Sequence, residues 1–292
     1  MKQKIITLIL AFSISFPLAG QYRHVFSINA GGGLSALNFS PSAGKTASGY
    51  GGEAGIGYHF SFSPKWSIGT GANLAMYNTE ASIDTYNKTT DAWTLRNTNF
   101  KFTYTMSNYK DEISAMMLTI PLMLQFQTAE KVGYYVAVGG KIGLPLSANY
   151  KTTIGNLTTK GEFPIYGMNY DDDLPKYGLG NYQGINQKTD MKLNTAFMLS
   201  GELGLKLCLG SMHLYTGAYI DYGLNDIRKD EPVSLLAYDS RATSYPTGFV
   251  YNGMGNSLSN KVTPFVIGIK IRLSFNSSSS KKAEKEEEQV IQ

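Results

Sequence analysis

Few residues in this chain are equipped for chemistry, and most of them stand alone. The histidines are His24, His59 and His213, and the one cysteine is Cys208. A single cysteine supplies neither an internal disulfide nor a CxxC metal or redox motif. A histidine could act as base to a serine nucleophile, the arrangement of a lipid-modifying hydrolase, but the two must lie within hydrogen-bond reach. Asp171, Asp172 and Asp173 could offer oxygen ligands to Ca²⁺. Lacking the spaced carboxylates of an EF-hand loop, they read as a solvated acidic run. Met116, Met117, Met191 and Met198 read as apolar fillers, not as copper ligands. No catalytic residue, metal or cofactor is therefore expected. What remains is a set of charges embedded in apolar and small residues: Glu53, Lys141, Glu202, Lys206, Asp221, Lys270 and Arg272. Their meaning depends on the elements that hold them.

The composition restricts those elements. Of 292 residues only 16% are charged, against about 25% in an average soluble domain. Aromatics reach 12%, with 20 Tyr and 14 Phe, and there are 31 Gly. The net charge of +4 comes with no basic stripe, so nucleic acid is not a partner. Beyond residue 20 no uncharged apolar run approaches the roughly 18 residues of a spanning helix, which excludes a helical membrane protein. Gly, Tyr, Thr and Asn in place of strong helix formers argue against a helix-rich enzyme. Hydrophobic residues at 42% argue against disorder. The first residues carry an address: basic Lys2 and Lys4, an apolar stretch from Ile5, and small residues at Ala19 and Gly20. Residues 1–20 are expected to be a secretory signal peptide, cleaved near Gly20. No cysteine follows it, so a lipoprotein is not expected.

After that come eight segments in which apolar residues alternate with small or polar ones, the period of a strand with one greasy face. The first carries Phe26, Ile28, Ala30 and Leu34 on one face. The second has Tyr50, Ile56, Tyr58, Phe60 and Phe62 opposite Glu53, Gly55, Gly57 and His59. The third runs from Trp66 to Met76, the fourth from Met116 to Phe126, and the fifth from Val132 to Leu144 with Lys141 on its polar face. The sixth sets Phe197, Leu203 and Leu205 against Glu202 and Lys206. The seventh sets Leu214, Ile220 and Tyr222 against His213 and Asp221. The last sets Ile267, Ile269, Ile271, Leu273 and Phe275 against Lys270 and Arg272.

Short turns at 63–65, 128–131 and 209–211 alternate with long polar connections at 35–49, 82–111, 149–190 and 225–260. That is the rhythm of an all-β, antiparallel, up-and-down transmembrane barrel with tight periplasmic turns and long extracellular loops. Closure is required because an open sheet would leave unpaired backbone groups in lipid. Phe26, Phe62, Trp66, Phe126 and Phe275 near the turns, and Tyr50 and Tyr222 near the loops, form two aromatic girdles. A soluble β-sandwich would bury its apolar face and turn charges outward. Eight strands are expected. Phe100, Phe102, Tyr104 and Met106 also alternate and read as the fourth strand continuing outward, broken near Asn108 to Asp111. Ten strands would require a further one within 149–190.

The final strand, with Ile269, Ile271, Leu273 and closing Phe275, is similar to the signal read by barrel-assembly machinery. With the alternation before it, the chain over residues 22–275 resembles the small outer-membrane barrels of the OmpA transmembrane-domain and OmpX type, most closely the Bacteroidetes-type outer membrane protein beta-barrel domain family. The resemblance implies a bacterial outer-membrane location, with lipid and lipopolysaccharide as surroundings and the assembly machinery as a partner in biogenesis. A peptidoglycan-binding domain of the OmpA kind is not seen in residues 276–292, which read as a Ser linker and a charged periplasmic tail. A monomer is expected.

In an eight-stranded barrel the interior is just wide enough to be filled by side chains. The seven inward charges should therefore meet as a paired network, Asp221 with Lys270 first, because an uncompensated buried charge is strongly unfavourable. Two roles follow. One is a non-enzymatic structural or surface-interaction barrel with a salt-bridge-plugged lumen, whose Tyr- and Asn-rich loops could hold an extracellular partner. The other is a narrow, gated, porin-like channel for ions or small solutes. All three histidines fall near the periplasmic turns, where they read as interfacial polar residues.

Overall fold

The computed structural model describes residues 23–94, 96–164, 167–170, 178–229, 233–241 and 248–276. The expected signal peptide, Asp171 to Asp173 and the tail from residue 277 lie outside the described residues. In chain order the strands are β1 (Arg23–Asn38), β2 (Lys45–Ser61), β3 (Trp66–Trp93), β4 (Asn99–Gln127), β5 (Val132–Phe163), β6 (Met168–Tyr170), β7 (Gly180–Asp190), β8 (Ala196–Leu209), β9 (Met212–Gly223), β10 (Leu236–Tyr238), β11 (Phe249–Tyr251) and β12 (Thr263–Asn276), with one short helix α1 (Met254–Ser257).

Eight of these close a ring in the order β1, β2, β3, β4, β5, β8, β9, β12, each antiparallel to its neighbours, with β12 returning to β1. The short turns close its lower end; Gly210 sits there at φ 66, a conformation that costs residues with a Cβ. Outward side chains form a continuous apolar belt in which Ile56, Leu122 and Ile269 are 65%, 64% and 66% exposed. An apolar surface of this extent fits lipid, not water. The girdle residues Phe26, Tyr50, Trp66, Phe126, Tyr222 and Phe275 all lie exposed on it, and Phe62 is half-buried in the turn after β2. Ile269 and Ile271 face out with them, and Leu273 is half-buried.

Three of the four long connections, 35–49, 82–111 and 149–190, are mostly strand, which corrects their reading as loops. β1 and β2 leave only residues 39–44 between them, and β3 and β4 form a hairpin that ends at residues 94–98. Segment 149–190 continues β5 to Phe163 and adds β6 and β7. The additional strand β7 does not widen the ring. It pairs with β5 over Asn149–Thr159, directly above the stretch where β8 pairs with β5 over Val132–Gly143. The ring is therefore eight-stranded, with a sheet of β3, β4, β5 and β7 rising beyond it.

The apolar belt stops at Met76, Met116 and Leu146, and the outward face continues with polar Asn78, Ser114 and Asn149. Higher up, polar side chains pair across strands: Asn87 with Thr105 at 2.7 Å, Thr89 with Thr103 at 2.8 Å and Thr158 with Asn181 at 2.7 Å. Such cross-strand pairs stabilise a sheet as i,i+4 pairs stabilise a helix, although their composition resembles that of a loop.

β4 is not broken near Asn108 to Asp111. Asn108 takes a left-handed φ of 53 and the pairing with β5 resumes beyond it, from Ser107 opposite Asn156 to Tyr109 opposite Ile154. The register is the same on both sides of Asn108, and the inward parity switches together on β3, β4 and β5: Ile83 and Ala92, Met106 and Tyr109, and Ile154 and Leu157 are all buried. Phe100, Phe102, Tyr104 and Met106 are buried above it, and Tyr109, Asp111, Ile113 and Ala115 below it. On β5 a bulge, at Leu146 after Pro145, marks the rim of the barrel; proline has no N–H to give the ladder.

The inner face of this raised sheet carries the main apolar core. The described parts of residues 225–262 fold across it, so that Leu236, Phe249, Tyr251 and Met254 pack with Phe102, Tyr104 and Ile154 in one buried cluster. Phe100 stacks on Phe163 at 4.7 Å, and Tyr182 meets Phe249 edge-on at 5.8 Å. The barrel is thus capped by a second, apolar core that stands above the lipid belt.

Candidate functional site

Period-two alternation turns one face of every barrel strand into the lumen, and it places all seven predicted charges there. Their exposures run from 2% for Lys141 and Asp221 to 7% for Arg272. Six of the seven join in one chain of alternating sign. Asp221 on β9 meets Lys141 on β5 at 2.8 Å, and Lys141 reaches Glu53 on β2 at 3.2 Å. Glu53 meets Lys270 on β12 at 2.8 Å, Lys270 meets Glu202 on β8 at 2.7 Å, and Glu202 lies 3.9 Å from Arg272. Three carboxylates thus balance three cations. Because β2 and β5 are not neighbours in the ring, the Lys141–Glu53 contact ties opposite walls together.

Two expectations about this group need correction. Asp221 and Lys270 are not partners: the register sets Asp221 opposite Val266 and Lys270 opposite Gly217, which offsets them along the ladder. Asp221 instead takes Lys141 and the Ser200 hydroxyl, the latter at 2.6 Å. Lys206 is buried but stands apart from the chain. Lower on β8, its Nζ donates to the Thr128 carbonyl in the turn at 2.7 Å, and among the described residues it has no carboxylate partner.

Several contributors were not singled out from the sequence. The Tyr219 ring lies beneath both Lys141 and Lys270, at 5.5 and 5.8 Å, a cation–π arrangement in a dry setting. Gly31 makes room for it: a Cβ there would come within 3.1 Å of that ring. Arg272 is clamped against Tyr215 at 4.3 Å, and its Nη2 donates to Gln125. His59 is not an interfacial residue, because its parity matches that of Glu53 and so it faces inward. Its Nε2 lies 2.9 Å from Arg272 Nη1. That shared parity was the available signal. His24 does sit at the surface, 2.6 Å from the Tyr58 hydroxyl, and His213 is half-buried beside Tyr215. Cys208 is half-buried at the end of β8, its Sγ 3.8 Å from the Glu130 carbonyl.

His59 fits only because residue 69 is glycine, where a Cβ would lie 2.6 Å from the imidazole. Gly69→Ala is expected to displace His59 from Arg272 and lower barrel stability by about 1–3 kcal/mol. Thermal unfolding of the variant beside wild type measures it, and equal midpoints would refute the packing argument.

Among solved structures the chain is similar to the outer membrane protein OprG from Pseudomonas aeruginosa, with 16% identity, a TM-score of 0.37, and coverage of 88% of this chain and 99% of that one. It is also similar to Ail, the attachment invasion locus protein of Yersinia pestis, solved with the heparin analogue sucrose octasulfate, at 11% identity, a TM-score of 0.28, and coverage of 86% and 99%. Neisserial surface protein A matches at 10% identity with a TM-score of 0.26, covering 86% of this chain and 94% of that one. A search of curated proteins by sequence finds no match. Residues 15–229 match the family model described as outer membrane protein beta-barrel domain, and the chain belongs to that family of outer-membrane β-barrels.

Proposed function

We propose that the protein is a non-enzymatic barrel of the bacterial outer membrane whose lumen is closed to solutes, and which serves to hold the raised sheet at the cell surface. The observation that carries this reading is a double seal. Within the barrel the Asp221–Lys141–Glu53–Lys270–Glu202 chain joins strands across the lumen. Above it the apolar cluster around Phe102, Phe249 and Met254 fills the space under residues 225–262. The short turns point to the periplasm and the sheet outward, as in other barrels of this class.

The test is conductance of the refolded full chain in a planar bilayer. Wild type is expected to be silent across physiological voltages, and so is a variant lacking most of the loop at the tip of the β3–β4 hairpin. Discrete openings of the wild type would overturn the closed-lumen reading in favour of a narrow gated channel. Surface contact is expected on the outward polar rows that include Thr89, Thr103 and Thr158. Replacing these three by glutamate should reduce binding of anionic lipopolysaccharide if the presented sheet is what the barrel serves.

A further inference from the structure

The rim at the turn end of the barrel carries mostly one sign of charge. Arg23 opens β1, Lys65 lies in the turn between β2 and β3, and Lys131 lies in the turn between β4 and β5. All three side chains are exposed, and among the described residues none of them has a carboxylate partner. Their places on the ring are fixed by the backbone. The Lys65 carbonyl accepts the Gln127 N–H, and the Lys131 carbonyl accepts the Cys208 N–H, both at 2.8 Å. Glu130 is the one acid on this rim among the described residues.

The mouth inside that rim is a polar hollow. A cavity of about 50 Å³ is bordered by Arg23, Ser61, Ser63, Gln127 and His213, and no Asp or Glu lines it. The Arg272 guanidinium behind it is already taken up by His59 and Gln125. The cations free to meet an anion here are therefore those of the rim.

The chain supplies the opposite charge at the same place. β12 ends at Asn276, which stands opposite Val25, two residues along β1 from Arg23. Residues 277–292 continue from that point, and over 284–288 they read Glu-Lys-Glu-Glu-Glu, four acids to one base. Lys281 and Lys282 precede this run, so the excess of acid is confined to it. A random coil as long as the step from Asn276 to Glu286 averages about 17 Å end to end. Eight strands about 4.8 Å apart and tilted by about 40° close a ring about 16 Å across. The acids thus reach every part of the rim. A tether of this length presents them at roughly millimolar effective concentration, which allows contacts between exposed charges that are weak one by one.

We propose that residues 284–288 fold back across the mouth of the barrel, where their glutamates meet Arg23, Lys65 and Lys131. The acidic segment then covers the turn end of the lumen and releases it as salt rises, because exposed pairs are screened. This holds whether or not the lumen conducts, since the partners lie on the rim and not in the charge chain.

The test is pulsed electron–electron distance measurement on the full chain, refolded in phosphatidylcholine nanodiscs with Cys208→Ser and spin labels at Ser211→Cys and Gln289→Cys. Ser211 is exposed in the turn between β8 and β9, away from the three cations. A narrow, short-distance population is expected at low salt. It should give way to a broad, longer one at about 1 M salt, where the Debye length falls to about 3 Å. Arg23→Gln, Lys65→Gln and Lys131→Gln together should abolish the short population at low salt. If that variant fails to refold, replacing Glu284, Glu286, Glu287 and Glu288 by glutamine carries the same test, with the same loss expected. A broad low-salt distribution in the wild type, or a short population that survives either variant, would overturn the proposal. So would loss of the short population when phosphatidylglycerol is added to the disc, which would assign the rim to anionic headgroups instead.

Discussion

Replacing Lys141 with methionine is expected to destabilise the barrel by about 3–5 kcal/mol, the usual cost of removing one partner from a buried ion pair. The side chain is fully buried and holds two carboxylates, Asp221 at 2.8 Å and Glu53 at 3.2 Å. The two losses are unequal. Glu53 keeps Lys270 at 2.8 Å, whereas Asp221 keeps only the Ser200 hydroxyl at 2.6 Å. Most of the penalty should therefore sit on Asp221, and adding Asp221→Asn to Lys141→Met should restore more than half of the lost stability. A double-mutant cycle on urea or thermal unfolding in bilayers isolates that coupling. A single variant within about 1 kcal/mol of wild type would show that the lumen tolerates an unpaired carboxylate, most simply by admitting water, and the dry-plug argument would fail with it.

The barrel was legible in the sequence because lipid imposes a strict rule. Every outward position from Trp66 to Met76 or from Leu118 to Phe126 must be apolar or small, so period two survives unbroken and gives the inward parity of Glu53, Lys141, Glu202, Asp221 and Lys270 directly. Partner choice was not legible. Asp221 and Lys270 lie on adjacent strands, yet the register offsets them, and Lys141 finds Glu53 across the ring, a contact that depends on barrel radius and not on local order. Above the membrane the outer face meets water, so Thr89, Thr103 and Thr158 replace leucines and the strands lose their outer signature. The inner face keeps its alternation, but its parity switches at the level of Asn108, on β3, β4 and β5 together. Phe102 and Ile113 then belong to faces of opposite number, and one continuous strand reads as two fragments. Asp111 lies at that junction, where neither parity marks it as inward.

Asp111 gives the second large effect, and its sign is opposite to ordinary acid denaturation. The side chain is 0% exposed at the base of the cap. One oxygen accepts the Thr152 hydroxyl at 2.5 Å; the other accepts the Tyr109 hydroxyl at 2.9 Å and the Met254 N–H at 2.7 Å, which pins α1 to β4. Burial pushes the carboxyl up to about 6, and the bonds from Thr152, Met254 and Tyr109 pull it back only in part. Among the described residues no cation pairs with it. Between its ordinary value of 3.8 and about 6 the folded cap therefore holds a proton that the unfolded segment does not. The associated stability is fully present below pH 3.8 and is lost as pH rises through 6, a change of about 3 kcal/mol. The half-buried carboxylate of Asp226 works outside this window. Burial raises Asp226, but its bonds from Arg228 and the Val262 N–H outweigh that and hold it below 3.8, so its contribution is lost only at lower pH. Hydrogen exchange of Met254 to Leu258, corrected for intrinsic rates, should accordingly show more protection at pH 4.5 than at pH 7.5. Asp111→Asn imitates the protonated acid, since its amide can donate to Thr152 while its oxygen accepts from Tyr109 and Met254. The variant should be as protected at pH 7.5 as wild type is at pH 4.5, with little dependence between. Wild-type protection that rises with pH, or an Asn variant that keeps the wild-type slope, would remove Asp111 as the group that sets how tightly residues 225–262 close over the barrel.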